Sequence, residues 1–347
     1  MNKIIQGFPI PPKDHYKVYV NTITYNQSAY IEDCLNGVAL QATGFPFIQL
    51  VTDDCSTDEE QVIIKRWMDR MCDMENAELY ENEICCITIA RNKSNPNCTL
   101  AAYLLKKNMH GNPLKRNLWK PWVQECPYIA VCEGDDYWID PYKLQNQVDF
   151  MDSHPTYSLC FTGATIKYAG NFETKELKSN MSLFSKLENR DYSGEEILSN
   201  WIVPTASVLY RSTINIKNNE NFMFGDIVLF LSCANEGTIR CISDKTVVYR
   251  RNNNGVSSST ARVEQYVNHY LAIEEVFGQK YSKICRRHIC TNLASAILTG
   301  THETDLCESV RILRQNPRYI PWVISYSINI CWKGALNRIG RLFKKNN

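Results

Sequence analysis

The chain has no stretch of about 18 consecutive apolar residues, so it offers no helix able to cross a bilayer. The nearest approach, Ile320–Trp332, is short and interrupted by Ser325, Ser327 and Asn329. It has 15 cysteines but no CxxC pair and no Cys/His spacing of the zinc type, which argues against a structural zinc site. Met1–Lys13 lacks the apolar core of a secretory signal. The expectation is a cytoplasmic chain with reduced thiols. Cys85, Cys86, Cys132, Cys160 and Cys241 sit in apolar, strand-like runs, where cysteine behaves as a small hydrophobe. Neither charge sign is in excess, at a formal +1 over 347 residues, so no strongly basic face for nucleic acid is expected.

What is present is an alternation of strand and helix patterns. Val18–Thr24 reads as a strand rich in β-branched residues. Ile31, Cys34, Leu35 and Val38 follow at helical spacing, and Phe47–Val51 is the next strand. Ser56, Thr57 and Asp58 suit the N-cap of a helix carrying Ile63, Trp67 and Met71. Ile84–Ile89 reads as a third strand, Leu100–Lys107 as a helix, residues 108–125 as an irregular insertion, and Tyr128–Cys132 as a fourth strand. Such alternation implies an α/β fold, a mostly parallel central sheet with helices on both faces. Ligands of such sheets bind at the carboxyl ends of the strands. Those ends carry Thr24-Tyr25-Asn26, Asp53-Asp54 and Glu133-Gly134-Asp135-Asp136. Paired carboxylates at the end of a buried strand repel one another and resist desolvation. A divalent cation relieves both costs; the alternative is an exposed acidic turn that caps a helix.

Further on, Trp201–Ser207 leads into a short strand ending at Tyr210-Arg211, and Gly225-Asp226 opens a helical pattern with Ile227, Phe230 and Leu231. Ile239–Ile242 and Thr246–Tyr249 read as two strands running into the loop Arg250-Arg251-Asn252-Asn253-Asn254-Gly255. From about residue 263 the pattern is helical.

Val20-x-x-Ile23-Thr24-Tyr25-Asn26-Gln27, Asp53-Asp54-x-Ser56-Thr57-Asp58 and Glu133-Gly134-Asp135-Asp136-Tyr137-Trp138, with Lys143-Leu144-x-x-Gln147 after them, together resemble a family 2 glycosyltransferase over residues 15–258. The resemblance implies the GT-A fold over residues 1–262; residues 263–347 lie outside it and read as a helical region from their pattern. It also implies inverting transfer of a sugar from a nucleotide-diphosphate donor, UDP-linked, to a glycan or lipid-linked glycan in bacterial surface polysaccharide synthesis. Thr24, Tyr25 and Asn26 then face the nucleoside, and Asp53 or Asp54 accepts from base or ribose. Asp136 and Asp135 match the DXD motif that holds Mg²⁺ or Mn²⁺, Asp135 lying nearer the sugar. Asp226 corresponds to the catalytic base, and Arg250 and Arg251 to a loop closing over the pyrophosphate. Ala90-Arg91-Asn92 matches a further family element, without its glycine-rich lead. Two rivals stay open: an idle nucleotide- or sugar-binding protein on the same fold, and a nucleotidyltransferase. The latter expects a glycine-rich loop after the first strand, where Thr24–Gln27 has no glycine.

The last residues, Trp332–Lys345, place Leu336, Ile339 and Phe343 on one helical face amid five basic residues. Such a segment suits either an anionic membrane surface, as a peripheral contact, or a docked terminal helix.

Overall fold

The computed structural model describes residues 3–168, 184, 187–251, 262–299 and 303–330. Residues 170–192, a polar and charged stretch that reads as a loop, lie partly outside these residues, and the loop beyond Arg251 and the basic tail lie wholly outside. Two compact units emerge. The first comprises residues 1–193, 201–215 and 236–255; the second comprises 194–200, 216–235 and 256–347. The helical unit therefore takes in two segments upstream of the boundary expected at residue 262.

The first unit is built on one mixed sheet. Its strands are β1 (Ile4–Gln6), β2 (Val18–Thr24), β3 (Phe47–Asp53), β4 (Glu78–Glu81), β5 (Cys85–Arg91), β6 (Cys98–Leu105), β7 (Tyr128–Val131), β8 (Tyr137–Trp138), β9 (Tyr157–Tyr168), β10 (Asp191–Tyr192), β11 (Leu209–Arg211) and β12 (Thr238–Arg251). The spatial order is β1-β4-β5-β6-β3-β2-β7-β11-β9-β12-β10, with β8 paired to β12. At its centre β6, β3, β2 and β7 are mutually parallel. This is the GT-A type of sheet.

Two sequence readings need correction. Leu100–Lys107 is not a helix: its apolar run forms most of β6, parallel to β3 and antiparallel to β5. Every residue of β6 is buried, so the run shows no alternation, and periodicity cannot separate such a strand from a buried helix. Ile239–Ile242 and Thr246–Tyr249 belong to one strand, β12, interrupted by register shifts around Lys245. The insertion at 108–125 contains two short helical segments, Pro113–Leu118 and Lys120–Glu125.

Helix α1 (Ile31–Ala39) turns Ile31, Cys34, Leu35 and Val38 inward, all fully buried. Beside them in one core lie Ile64, Trp67 and Met68 of α2 (Glu60–Met71), with Leu144, Val148 and Met151 of the helix Lys143–Ser153. On other strand positions Tyr103 is buried and accepts from Trp122 Nε1 at 2.8 Å. The described cysteines are free thiols, most of them buried. In the second unit, helices span Gly225–Glu236, Val263–Phe277, Ser282–Thr299, Glu303–Gln315 and residues 320–330. No described helix is long and apolar enough to cross a membrane.

Lys143 is a charged residue within the core of the first unit. It is 1% exposed, donates to Gln147 Oε1 at 2.7 Å and lies 4.1 Å from the Trp138 ring centroid. Burial pulls its pKa down to about 7. The unfolded chain keeps this proton up to the ordinary lysine range, so between these values stability rises with pH. Lys143→Met is expected to remove that rise, which is at most about 1.4 kcal/mol per pH unit. Urea denaturation of both proteins from pH 7 to 9 measures it, and parallel curves contradict it.

Candidate active site

The strand register assembles the site. Thr24 pairs with Asp53 across β2 and β3, and Asp54 N donates to Thr24 O at 3.0 Å. On the other side Cys132 N donates to Asn21 O at 3.1 Å, and Gly134 N to Ile23 O at 3.2 Å. The ends of β3, β2 and β7 therefore meet at one edge, as the sequence implied. Gly134 packs so closely on β2 that a β-carbon there would lie 2.1 Å from Thr24 Oγ1. Only glycine fits that approach.

Glu60 organises the loop after β2, and nothing in the sequence reading singled it out. It is fully buried at the start of α2. Its carboxylate accepts from Thr24 Oγ1, from Gln27 N at 2.8 Å and from Ser56 Oγ at 2.8 Å. Burial pushes its pKa up, and those hydrogen bonds work against the rise. The cap position is Glu59, in a left-handed conformation and without a side-chain cap bond; of the three expected caps only Asp58 reaches the backbone at the start of α2, its Oδ1 accepting from Glu60 N at 3.3 Å. All three also hold the neighbouring loop. Ser56 Oγ accepts from Asn26 N at 2.9 Å, Thr57 N donates to Asn26 Oδ1 at 2.8 Å, and Asp58 Oδ2 accepts from Ser28 N at 2.9 Å. Asn26 takes a positive φ of 55°, which asparagine tolerates. Tyr25 is left 44% exposed at this edge.

The four acidic candidates differ. Asp54 is already occupied: Oδ1 accepts from Met109 N at 2.7 Å, and Oδ2 pairs with Lys115 Nζ at 2.7 Å, both side chains largely buried. The insertion thus closes over the end of β3 through Asn108, Met109 and Lys115. Asp53 is fully buried; its Oδ1 accepts from Ser56 N at 3.0 Å, while Oδ2 has no partner among the described residues. Asp136 is 1% exposed, with Oδ1 accepting from Arg250 N at 2.7 Å and Oδ2 likewise unpartnered. Burial raises its pKa well above the usual range, and the charges of Asp135 and Glu133 add to the effect. Asp135 is half-buried beside it.

Arg250 and Arg251 play different parts. The Arg250 guanidinium is buried between the rings of Tyr30 and Tyr137, donates to Asp135 O at 3.0 Å and pairs with Asp33. It fastens the Asp135-Asp136 turn to β12 and α1. Arg251 Nε is buried with no partner among the described residues. Asp226 belongs to the second unit, half-buried at the start of the helix Gly225–Glu236. Its Oδ1 accepts from Ile227 N at 2.8 Å, and burial raises its pKa.

Among the described residues no group of three or more His, Cys, Asp or Glu side chains forms a metal cage. An orphaned, buried carboxylate oxygen on Asp136 next to Asp135 fits a hard cation that takes its remaining ligands from phosphate and water.

A mostly parallel sheet with carboxylates at its strand ends is consistent with the GT-A class of fold. Residues 19–95 match the family model of glycosyl transferase family 2. The chain is 30% identical over 239 residues to the uncharacterized protein Rv1520 of Mycobacterium tuberculosis and, with the same figures, to Mb1547 of Mycobacterium bovis. The alignment covers 68% of this chain and 59% of theirs, so the chain spans about three fifths of the curated relatives it matches. Among solved structures it is similar to S. aureus TarS in complex with UDP-GlcNAc, at 18% identity and a TM-score of 0.52, covering 81% of this chain and 72% of that one. The TarS complex with UDP gives 17% and 0.50 over the same shares. At such identities the likeness is one of fold.

Removing one member of the Asp54–Lys115 pair leaves a buried charge uncompensated. Lys115→Ala is expected to lower stability by about 3 kcal/mol, and the double variant with Asp54→Ala to recover part of that. A denaturation cycle checks this; equal losses in the single and double variants count against it.

Proposed function

We propose that the protein is an inverting glycosyltransferase that moves a sugar from a UDP-linked donor to a hydroxyl of a glycan or lipid-linked glycan. We place it in bacterial surface polysaccharide synthesis at the cytoplasmic side of the membrane. The observation that carries this reading is the unpartnered, buried Oδ2 of Asp136, on the strand edge where Asp53 Oδ2 is also unpartnered.

In this proposal Asp53 accepts from the base or ribose, Tyr25 offers a ring at the nucleoside, and Thr24 and Asn26 hold the loop that carries it. Asp54 supports the site through Lys115. Asp136 and Asp135 hold Mg²⁺ or Mn²⁺, which when bound neutralises the diphosphate leaving group. Arg251 supplies a further donor toward phosphate, while Arg250 keeps the carboxylate turn in place. Asp226 takes the proton of the acceptor hydroxyl as that oxygen attacks the anomeric carbon. Its burial suits the role, since a raised pKa makes a better base.

UDP with Mn²⁺ or Mg²⁺ is expected to raise the melting temperature by several degrees, and Asp136→Asn to abolish the metal-dependent part. If no diphosphate nucleotide shifts the melt with either metal, the reading fails. Asp226→Asn is expected to leave that shift intact and to lower transfer by about 10²–10⁴-fold. Donor binding without turnover by the wild type against any glycan acceptor points to an idle binding protein instead.

A further inference from the structure

His269 is a fully buried polar side chain of the second unit, on the helix Val263–Phe277. Its Nδ1 accepts from Met223 N at 3.2 Å, which leaves the ring proton on Nε2. Nε2 is buried too, and has no partner among the described residues. Burial, with His288 adding to it, pulls the pKa down to about 4. The ring is therefore neutral near pH 7, and Nδ1 stays free to accept. The rings of Phe222 and Phe224 stand edge-on to the imidazole, with centroids 6.1 and 4.9 Å away.

A buried N–H without an acceptor is a cost. A phenylalanine would pack between the same two rings without that cost, so packing alone does not account for a histidine. What the imidazole adds is an acceptor for the backbone, and the backbone it holds leads into the helix Gly225–Glu236. Met223 stands three residues before Asp226, within about 10 Å of extended chain. Val228 N donates to Phe224 O at 3.3 Å, so the held segment runs on into the first turn. Asp226 is bonded to the same turn through Ile227 N.

We propose that His269 is a positioning residue for Asp226. By accepting from Met223 N between two phenylalanine rings, it fixes the lead Phe222-Met223-Phe224 and with it the start of the helix that carries the carboxylate. This role rests on the reading of Asp226 as the base. His269, Met223 and Asp226 all belong to the second unit, whereas Asp53 and Asp136 belong to the first. The effect therefore falls on proton transfer from the acceptor and not on donor binding.

Two substitutions separate the acceptor from the packing. His269→Phe keeps a ring and loses the acceptor; His269→Asn keeps an acceptor near the place of Nδ1 and leaves a cavity. His269→Phe is expected to lower kcat by about 10–100-fold, with the donor KM and the UDP-dependent melt unchanged, and to speed hydrogen exchange at the Met223 amide. His269→Asn is expected to keep most of kcat and of that amide's protection, although the cavity makes it the less stable protein. A residue that only packs gives the reverse order in kcat, and that result overturns the proposal, as does unaltered Met223 exchange in His269→Phe. In an Asp226→Asn background His269→Phe should cost nothing further; losses that multiply contradict action through Asp226. Failure of the base reading looks different. Full transfer by Asp226→Asn, or no transfer by the wild type, sinks both ideas, while a loss in Asp226→Asn beside wild-type kcat in His269→Phe removes His269 alone.

Discussion

The close approach of Gly134 to Thr24 governs the site. It lets the turn after β7 lie flat against the end of β2, with Gly134 N bonded to Ile23 O, and so brings Asp135 and Asp136 to the edge where Asp53 already sits. A side chain at that glycine would force the two strands apart. The same Thr24 hydroxyl donates to Glu60, so a single residue joins the carboxylate turn, the loop after β2 and the first turn of α2. The geometry is therefore set by backbone packing in the buried parallel centre.

Charges at this edge fall into two groups. Asp54 with Lys115, Glu60 with its three donors, and Arg250 with Asp33, Tyr30 and Tyr137 are internally satisfied and hold loops in place. Asp53 and Asp136 each retain a buried oxygen with no described partner. A fold tolerates such a cost where a ligand relieves it. Burial raises Asp136, and the carboxylates beside it raise it further, which is the environment a divalent cation reverses.

Legibility in the sequence followed the range of the interactions. The strands and their acidic ends could be read because β-branched runs, turn residues and carboxylate pairs are local features. β6 was misread because a short run buried on both faces has no period. Glu60, Lys115 and Asp33 escaped notice because each acts on a residue 36, 61 or 217 positions away, and nothing nearby marks a glutamate, lysine or aspartate as a partner. Ser56 and Thr57 read as helix caps but hold the loop after β2, which competes with the helix terminus for them, while Asp58 serves both, with Oδ1 accepting from Glu60 N and Oδ2 from Ser28 N.

By itself the sequence determined the alternation of elements, the parallel centre, the chemistry at the strand ends and the resemblance to a sugar-transferring family. These follow from periodicity, composition and short motifs, which need no knowledge of distant neighbours. Only the tertiary structure decided which carboxylates are already paired and which keep an oxygen to offer. It also decided that Arg250 is a brace, and that the buried ring of His269 meets the backbone amide of Met223. Pairing and exposure depend on what else comes within a few ångströms, and that is settled only when the chain has folded.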